Sequence, residues 1–314
     1  MSGAGPGASS SEPEPSRSEA PSQEAAGGFA VAALLFGVTT FCFPTMDAIA
    51  KGLMSRYDPM QVVWARYASQ TALMALIFLP SLSRLLRTGN LRLQLIRSAL
   101  LFGATMFFFS GVAVVPLAAA TATMFCAPLI ITALAGPILG ERVGPWRWSA
   151  VIIGFLGVGL ILRPGGDAFQ PELLLVLGAA TCYGLYQLST RFLAGSDTPI
   201  TTLFYSVLLG TAAASLIAPF AWRTPTLADA GLMMSTGVIG GLGHFAMIQA
   251  LRRAPASALA PFNYLALIWA TLWGALFFAN VPDAWTFAGA GVIVAAGLVI
   301  YWRERVRRPA AAGG

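Results

Sequence analysis

Apolar runs recur along the chain from Phe29 to Trp302, each close to the ~20 residues that an α-helix needs to cross a bilayer. They predict ten spans, at about 29–50, 59–79, 95–114, 117–139, 146–162, 171–190, 199–220, 229–250, 256–279 and 284–302. The breaks are short and carry Pro, Gly, Asp and Arg: Tyr57-Asp58-Pro59, Pro80 to Arg97, Pro116, Gly140 to Pro145, Arg163 to Gly166, Asp197 to Pro199, Arg223 to Pro225, Arg252 to Pro255, and Pro282-Asp283. The expected fold class is therefore an all-α membrane protein with ten transmembrane helices.

Composition agrees. The chain of 314 residues is 57% hydrophobic and only 10% charged, with a mean hydropathy of +0.72. A soluble domain carries about 25% charged residues, because its surface must be solvated. Residues 1–28 hold no apolar stretch, so the expectation there is a disordered cytoplasmic tail and not a cleavable signal peptide. Residues 163–170 read as a periplasmic linker and 303–314 as a basic cytoplasmic tail.

The net charge of +6 excludes little until its distribution is read. With the N-terminus on one side, that side collects 14 Lys and Arg between spans and the other collects 4, Arg66 being left inside a span. The positive-inside rule then puts both termini in the cytoplasm. No basic face with interleaved aromatics points to nucleic acid; lipid headgroups are the expected partner of these cations. Cys42, Cys126 and Cys182 all lie in apolar runs and read as small buried hydrophobes, without a disulfide framework.

The two halves of the chain repeat. Ala120, Ala122, Leu129, Gly136, Val143, Gly159 and Leu160 recur 138 positions on as Ala258, Ala260, Leu267, Gly274, Val281, Gly297 and Leu298. Gly37 and Thr40 recur as Gly178 and Thr181. Five helices per copy is odd, so the copies at 29–162 and 171–302 must enter the membrane from opposite sides. Two inverted five-helix repeats are a transporter signature, with the binding site near the midplane between them.

Particular residues sharpen this. Pro116 to Leu162, with Pro-Leu-Ala-Ala-Ala-Thr-Ala, Pro128-Leu129, Leu139-Gly140-Glu141-Arg142 and Gly154-Phe155-Leu156-Gly157-Val158, resembles the EamA repeat of the drug/metabolite transporter superfamily. Ala254 to Ile300 resembles a second copy, with Ala260-Pro261-Phe262-Asn263-Tyr264 and Pro282-Asp283. It places Asn280 near the position where Glu141 sits in the first copy. The resemblance covers roughly 29–303. It implies a ten-helix inner-membrane carrier whose central cavity opens alternately to either side, with the last helix of each half peripheral and available for a homodimer contact. Met46 to Lys51 and Gly243-His244-Phe245 resemble a proteobacterial subgroup that includes carriers of riboflavin, S-adenosylmethionine and other metabolites.

Ionisable residues inside a span are costly and so are functional candidates. Asp47 and Arg66 lie about nine residues to either side of the Arg56-Tyr57 turn, at nearly equal depth, and are expected to pair. Lys51, four residues after Asp47 on the same helical face, is expected to share its charge. The pair reads either as a structural lock on the first hairpin or as a site for a substrate cation, a proton or an anionic group. His244 follows a glycine-rich stretch in which Gly237 and Gly241 form a GxxxG face; it reads as a hydrogen-bonded core histidine or as a ligand or proton-coupling group. Tyr183, Tyr186, Gln187, Asn263 and Tyr264 are intramembrane polar aromatics and amides. They read either as helix-to-helix hydrogen bonds or as a lining that stacks on, and bonds to, a planar heterocycle. Glu141 beside Arg142 reads as a headgroup-level salt bridge or gate latch.

Enzyme chemistry finds no footing. The chain has no GxxxxGK[ST], HExxH or GxSxG motif, and its single His leaves a His-based metal site without partners. No cofactor is expected. The sequence points to a secondary carrier of a small metabolite, riboflavin or a similar heterocycle first, amino acids, S-adenosylmethionine or drug-like compounds as the alternative. A membrane receptor or scaffold is the reading without transport.

Overall fold

The structure, a computed structural model, describes residues 23–140, 144–163, 169–193 and 197–307. Every regular element among them is helical. The first half comprises α1 (Gln23–Met54), α2 (Pro59–Ile77), the short α3 (Leu82–Leu85), α4 (Leu91–Val112), α5 (Leu117–Met124), α6 (Ala127–Leu139) and α7 (Pro145–Leu162). The second comprises α8 (Leu173–Phe192), α9 (Pro199–Ile217), α10 (Leu227–Leu251), α11 (Ala256–Leu259), α12 (Leu265–Phe278) and α13 (Ala284–Arg307). The sequence's expectations for residues 1–22, for Glu141 and Arg142, for 164–168 and for 308–314 fall outside the described residues.

The helix starts follow from local chemistry. Asp58 caps α2 by accepting the Met60 N–H, and Pro59 fills the first turn, where no N–H is needed. Asn90 caps α4 through the Leu93 N–H, Thr198 caps α9 through Thr201, and Thr226 caps α10 through Asp229. Gly140 ends α6 with a φ of +70°, a conformation cheap only for glycine.

Among the described residues eight segments are long and apolar enough to cross a membrane: Gly28–Met54, Leu91–Val112, Leu117–Leu139, Pro145–Leu162, Leu173–Thr190, Pro199–Ala221, Leu227–Leu251 and Ala260–Phe278. Pro59–Ile77 with Leu79–Leu85 makes a ninth if taken as one span bent by 80°, and Ala284–Ile300 is a shorter apolar helix. One expected boundary moves. The third span starts at Leu91 and not at 95, because Asn90 caps it there, and this carries Arg97 two turns into the helix.

Apolar side chains cover the outside: Leu34, Leu76, Leu216 and Phe220 are all more than 70% exposed. Polar ones are packed inside, with Gln61, Gln70, Gln94 and Thr236 fully buried. That inversion is what a hydrocarbon solvent imposes, since polar groups must find partners within the protein.

Packing follows a reciprocal pattern. α1 lies along α10 as α4 lies along α8, and α10 packs on α2 as α4 packs on α9. α7 packs on α13, α2 on α9 and α5 on α12. The α7–α13 contact is backbone against backbone: a Cβ added to Gly289 would lie 2.5 Å from the Gly157 carbonyl oxygen. Two segments are broken near a proline. The fourth divides into α5 and α6 just before Pro128, and the ninth runs through a 3-10 stretch, Ala260–Tyr264, that contains Pro261.

Candidate functional site

α10 presses its glycine face onto α2 and α1. A Cβ at Gly237 would sit 2.4 Å from the Arg66 carbonyl oxygen and 2.0 Å from Ser69 Oγ, so only glycine permits this approach. At Gly240 the nearest atom to such a Cβ is Met46 Sδ, at 2.9 Å, and Gly243 lies against Cys42 and Phe43. The glycines thus set α1, α2 and α10 in register and fix the depth of the polar residues they carry.

Asp47 and Arg66 each lie seven residues from the nearer end of their helices, roughly 10 Å deep at ~1.5 Å per residue. The expected equal depth holds, but the expected pairing does not form: no ion pair or hydrogen bond joins them. Met46 is the side-chain partner that Arg66 does have. Its Sδ accepts Arg66 Nε at 3.1 Å, while the guanidinium lies over the rings of Tyr67 and Phe109, at 5.2 and 5.6 Å. Both Nη groups of Arg66 are left without a hydrogen bond to the described residues. Asp47, one residue past Met46, turns away around α1 yet still lies in the field of Arg66. Its carboxylate accepts no hydrogen bond from the described residues.

Lys51 does not share the Asp47 charge either. Its Nζ donates to the Val112 and Val115 carbonyls at 2.6 and 2.8 Å, closing the C-terminal end of α4, and sits 5.5 Å from the Phe278 ring. Cations are favoured there, where helix carbonyls have no other donor. Lys51 and Asp47 are one turn apart on one face of α1, and Asp47 is part-buried there.

His244 packs edge-on against Phe43, ring centroids 4.9 Å apart, and makes no hydrogen bond to the described residues. The charges of Arg66 and Arg97 both reach it. Asp47 and His244 are enclosed by the bundle and yet retain surface that a water molecule can touch. Groups so deep, polar and partly accessible are the candidates for contact with a ligand.

Arg97 is the residue that sequence reasoning missed, having counted it as a loop cation. It is 3% exposed. Its Nε donates to Thr190 Oγ1 at 2.8 Å, Nη1 to the Thr202 carbonyl and Ser206 Oγ at 3.0 and 2.9 Å, and Nη2 to the Tyr186 hydroxyl at 2.6 Å. The guanidinium also lies 4.4 Å from the Tyr186 ring centroid, and Tyr186 stacks on Tyr183 at 5.6 Å. Among the described residues no carboxylate touches it. The signal available in the sequence was Asn90, a helix cap that places Arg97 inside the span.

Asn263 and Tyr264 do not join this group. Asn263 is exposed on the 3-10 stretch of the ninth segment. Tyr264 packs edge-on against Phe125 and sends its hydroxyl to the Val294 carbonyl at 3.5 Å. Gln70, by contrast, lies beside Arg66: fully buried one turn after it, it has neither amide atom bonded to the described residues. A Cβ on Gly240 would be 3.8 Å from both Gln70 Oε1 and Arg66 Nε, so the two groups flank one point.

Polar clamps hold the ends. Asp197, in the α8–α9 connection, accepts from Thr88 Oγ1, the Gly89 N–H and Gln94 Nε2. Desolvation pushes the Asp197 carboxyl up, but these three donors together outweigh it and hold the group below the usual carboxylate range. At the opposite end Asp229 accepts from Tyr57, Arg56 and Thr226. Beside it, Arg56–Asp58 and Pro219–Arg223 line an open cleft of about 510 Å³ that includes none of Asp47, Arg66 and His244. Among the described residues no cluster of His, Cys, Asp and Glu could hold a metal.

The chain is similar to known membrane transporters. The chain is 28% identical over 259 residues to an S-adenosylmethionine uptake transporter of Rickettsia bellii, covering 82% of this chain and 89% of that one. It is 32% identical over 247 residues to a riboflavin transporter of Vibrio cholerae (76% and 83% covered) and 28% identical over 274 residues to the pseudopaline exporter CntI of Pseudomonas aeruginosa (84% and 93%). A protein of known crystal structure shares the fold at a TM-score of 0.59 and 20% identity, over 90% of this chain and 99% of its own. The EamA-like transporter family matches twice in succession, at residues 30–163 and 170–302. With both halves of the molecule accounted for in this way, the chain belongs to the EamA-like transporter family, as a multi-pass membrane protein of the drug/metabolite transporter type.

Proposed function

We propose that this protein is a secondary carrier that moves a small heterocyclic metabolite across the inner membrane by alternating access. The observation that carries the reading is the interior space faced by Asp47, Arg66 and His244. Charged and polar ends lie unbonded roughly 10 Å inside a shell of apolar side chains. A purely structural bundle would pay to bury such groups without partners; a binding chamber uses them. The Tyr183–Tyr186 stack, steadied by Arg97, adds aromatic surface for a planar ring.

Ten crossings in two inverted repeats are the topology that fits. The reciprocal packing of α1 on α10 and α4 on α8 is what a pseudo-two-fold axis in the membrane plane would produce. The proline-associated breaks in the fourth and ninth segments occupy corresponding places in the two halves. Charge asymmetry puts both termini in the cytoplasm.

Riboflavin is the first cargo to test and S-adenosylmethionine the second, the activities for which two relatives are named. The test is uptake of each, radiolabelled, into proteoliposomes with and without a pH gradient. Uptake above protein-free vesicles, lost in Asp47→Asn at normal membrane insertion, is the expected result. Binding without uptake would instead make the protein a receptor, and an Asp47→Asn variant that fails to insert would make Asp47 structural.

A further inference from the structure

We infer that the cleft between the α1–α2 turn and the α9–α10 connection seats the head group of a phosphatidylethanolamine molecule from the surrounding bilayer, with the lipid phosphate on Arg223 and its ammonium on Asp58. This goes beyond the carrier reading and does not depend on it.

The cleft is built by segments from both halves of the chain. Arg56 to Asp58 form one wall and Pro219 to Arg223 the other, around about 510 Å³. That is within the ~300–1,000 Å³ of small-ligand sites. The walls are bonded to each other. Fully buried Gln61 donates through Nε2 to the Arg223 carbonyl at 2.7 Å and accepts the Arg223 N–H at 3.0 Å. The Gln61 N–H in turn donates to the Asp58 carbonyl at 3.0 Å. These bonds fix the Arg223 backbone against the first turn of α2, which Asp58 caps, while both charged side chains stay exposed.

The surroundings place the cleft at the edge of the bilayer. Trp222 meets Trp64 edge-on, with ring centroids 5.2 Å apart, and Trp64 Nε1 donates to Ser215 Oγ at 2.9 Å. Tryptophans with a bonded polar tip collect at the level of lipid head groups. On the α9 side of the cleft Leu216 and Phe220 are 76% and 90% exposed. Apolar side chains so bare beside a polar cleft suit acyl chains outside it and a polar head within it.

Charge selects the head group. Arg56 is met by Asp229 at 3.0 Å. Among the described residues neither Arg223 nor Asp58 has an ionic partner. The Arg223 guanidinium donates only to the Arg56 carbonyl, at 3.3 Å, and the Asp58 carboxylate accepts only the Met60 N–H, through Oδ1. One cation and one carboxylate oxygen therefore remain, the complement of a phosphodiester and an ammonium. Ethanolamine brings three N–H donors to Asp58, whereas choline brings none. A glycerol head group has no cation and sets its phosphate against the Asp58 charge.

The test uses the full chain, purified in detergent, and native mass spectrometry with phosphatidylethanolamine, phosphatidylcholine and phosphatidylglycerol of identical acyl chains. The expected result is that the first phosphatidylethanolamine binds about three- to fivefold more tightly than either of the others, the size that an exposed ion pair supports. Asp58→Asn keeps the helix cap; it should erase the preference over phosphatidylcholine and leave phosphatidylcholine itself unchanged. Arg223→Gln should weaken all three lipids, whereas Arg253→Gln, at an exposed arginine bonded to Gln249, should change none. The preference is a ratio read within one folded variant, so a general loss of stability does not move it. Equal affinities for the ethanolamine and choline lipids overturn the assignment, as does a preference that survives Asp58→Asn. Tighter binding of phosphatidylglycerol overturns it too, in favour of an anionic lipid. Displacement of the lipid by an equal concentration of sn-glycero-3-phosphoethanolamine, the soluble head group, overturns it in favour of a solute. Each of these outcomes leaves the carrier reading in place.

Discussion

At the scale of single residues, the membrane interior makes every polar group either a partner or a liability. Arg97 illustrates the first case. Four of its donors are satisfied by neutral oxygens from α8 and α9, and its face by Tyr186, so it ties three helices together without an acid. Arg97→Gln removes that fork and leaves the Thr190, Ser206 and Tyr186 hydroxyls short of a donor. We predict a loss of about 2–5 kcal/mol, seen as a clear drop in the thermal transition of the purified protein; Arg97→Lys should recover only part, because an ammonium cannot serve several directions at once. Asp47, Arg66 and Gln70 are the second case, and their unspent groups are the reason they read as a site and Arg97 as its support. The sequence made Asp47, Arg66 and His244 legible, since any ionisable residue in an apolar run stands out. It hid Arg97, whose position near the end of a run depended on where the cap fell, and it hid Gln70, since an amide in a helix carries no sign of whether it is bonded.

At the scale of elements, glycine spacing decides how closely helices meet and so where side chains end up. Gly237 and Gly241 look equivalent in a GxxxG pattern, but their surroundings differ: a Cβ at Gly237 meets the α2 backbone, whereas one at Gly241 meets Leu73 at an ordinary 3.5 Å. Gly237→Val should therefore force α10 off α2 and cost about 1–3 kcal/mol or more, with poor accumulation in the membrane. Gly241→Ala should be close to neutral. Both are checked by membrane yield and melting of the solubilised protein. Helix ends give a second prediction. Asp283 caps the Thr286 N–H at the start of α13 and pairs with Arg163 at the end of α7. The Arg163 hydrogen bond first, then the Thr286 N–H, hold the carboxyl down at about 2, below the ordinary 3.8. A depressed carboxylate contributes stability that is complete above the unfolded value and lost as the pH falls through the folded one. Asp283→Asn should thus melt below the parent protein at neutral pH, with the gap constant down to about pH 5 and closing towards pH 2.

At the scale of the whole molecule, the two halves of the chain exchange partners. α1 and α2 pack with α10, while α4 packs with α8 and α9, so neither sequence half is a packing unit by itself. Two polar clamps, centred on Asp197 and Asp229, sit at opposite ends of the molecule and stitch these mixed groups. If the halves are inverted, a cysteine at Ser55 faces the periplasm and one at Ser83 the cytoplasm; both positions are exposed. In a background with Cys42, Cys126 and Cys182 replaced by Ala, an impermeant maleimide added to intact cells should label the first and not the second. Labelling of both or neither would break the topology.

Hydropathy and loop chemistry were enough, from the sequence alone, to predict a helical membrane protein, because the cost of exposing polar backbone in hydrocarbon is written directly into the length and spacing of apolar runs; the family followed from the resemblance of particular motifs. The equal depth of Asp47 and Arg66 followed from the same one-dimensional arithmetic. Whether those two would touch did not, since direction around a helix axis is set by what packs against it. The tertiary structure decided that with Met46 and the α10 glycines, and the same packing brought Gln70 beside Arg66 and enclosed Arg97 between α8 and α9. Depth is a property of one helix and can be counted along the chain; facing is a property of several helices at once and exists only when they are assembled.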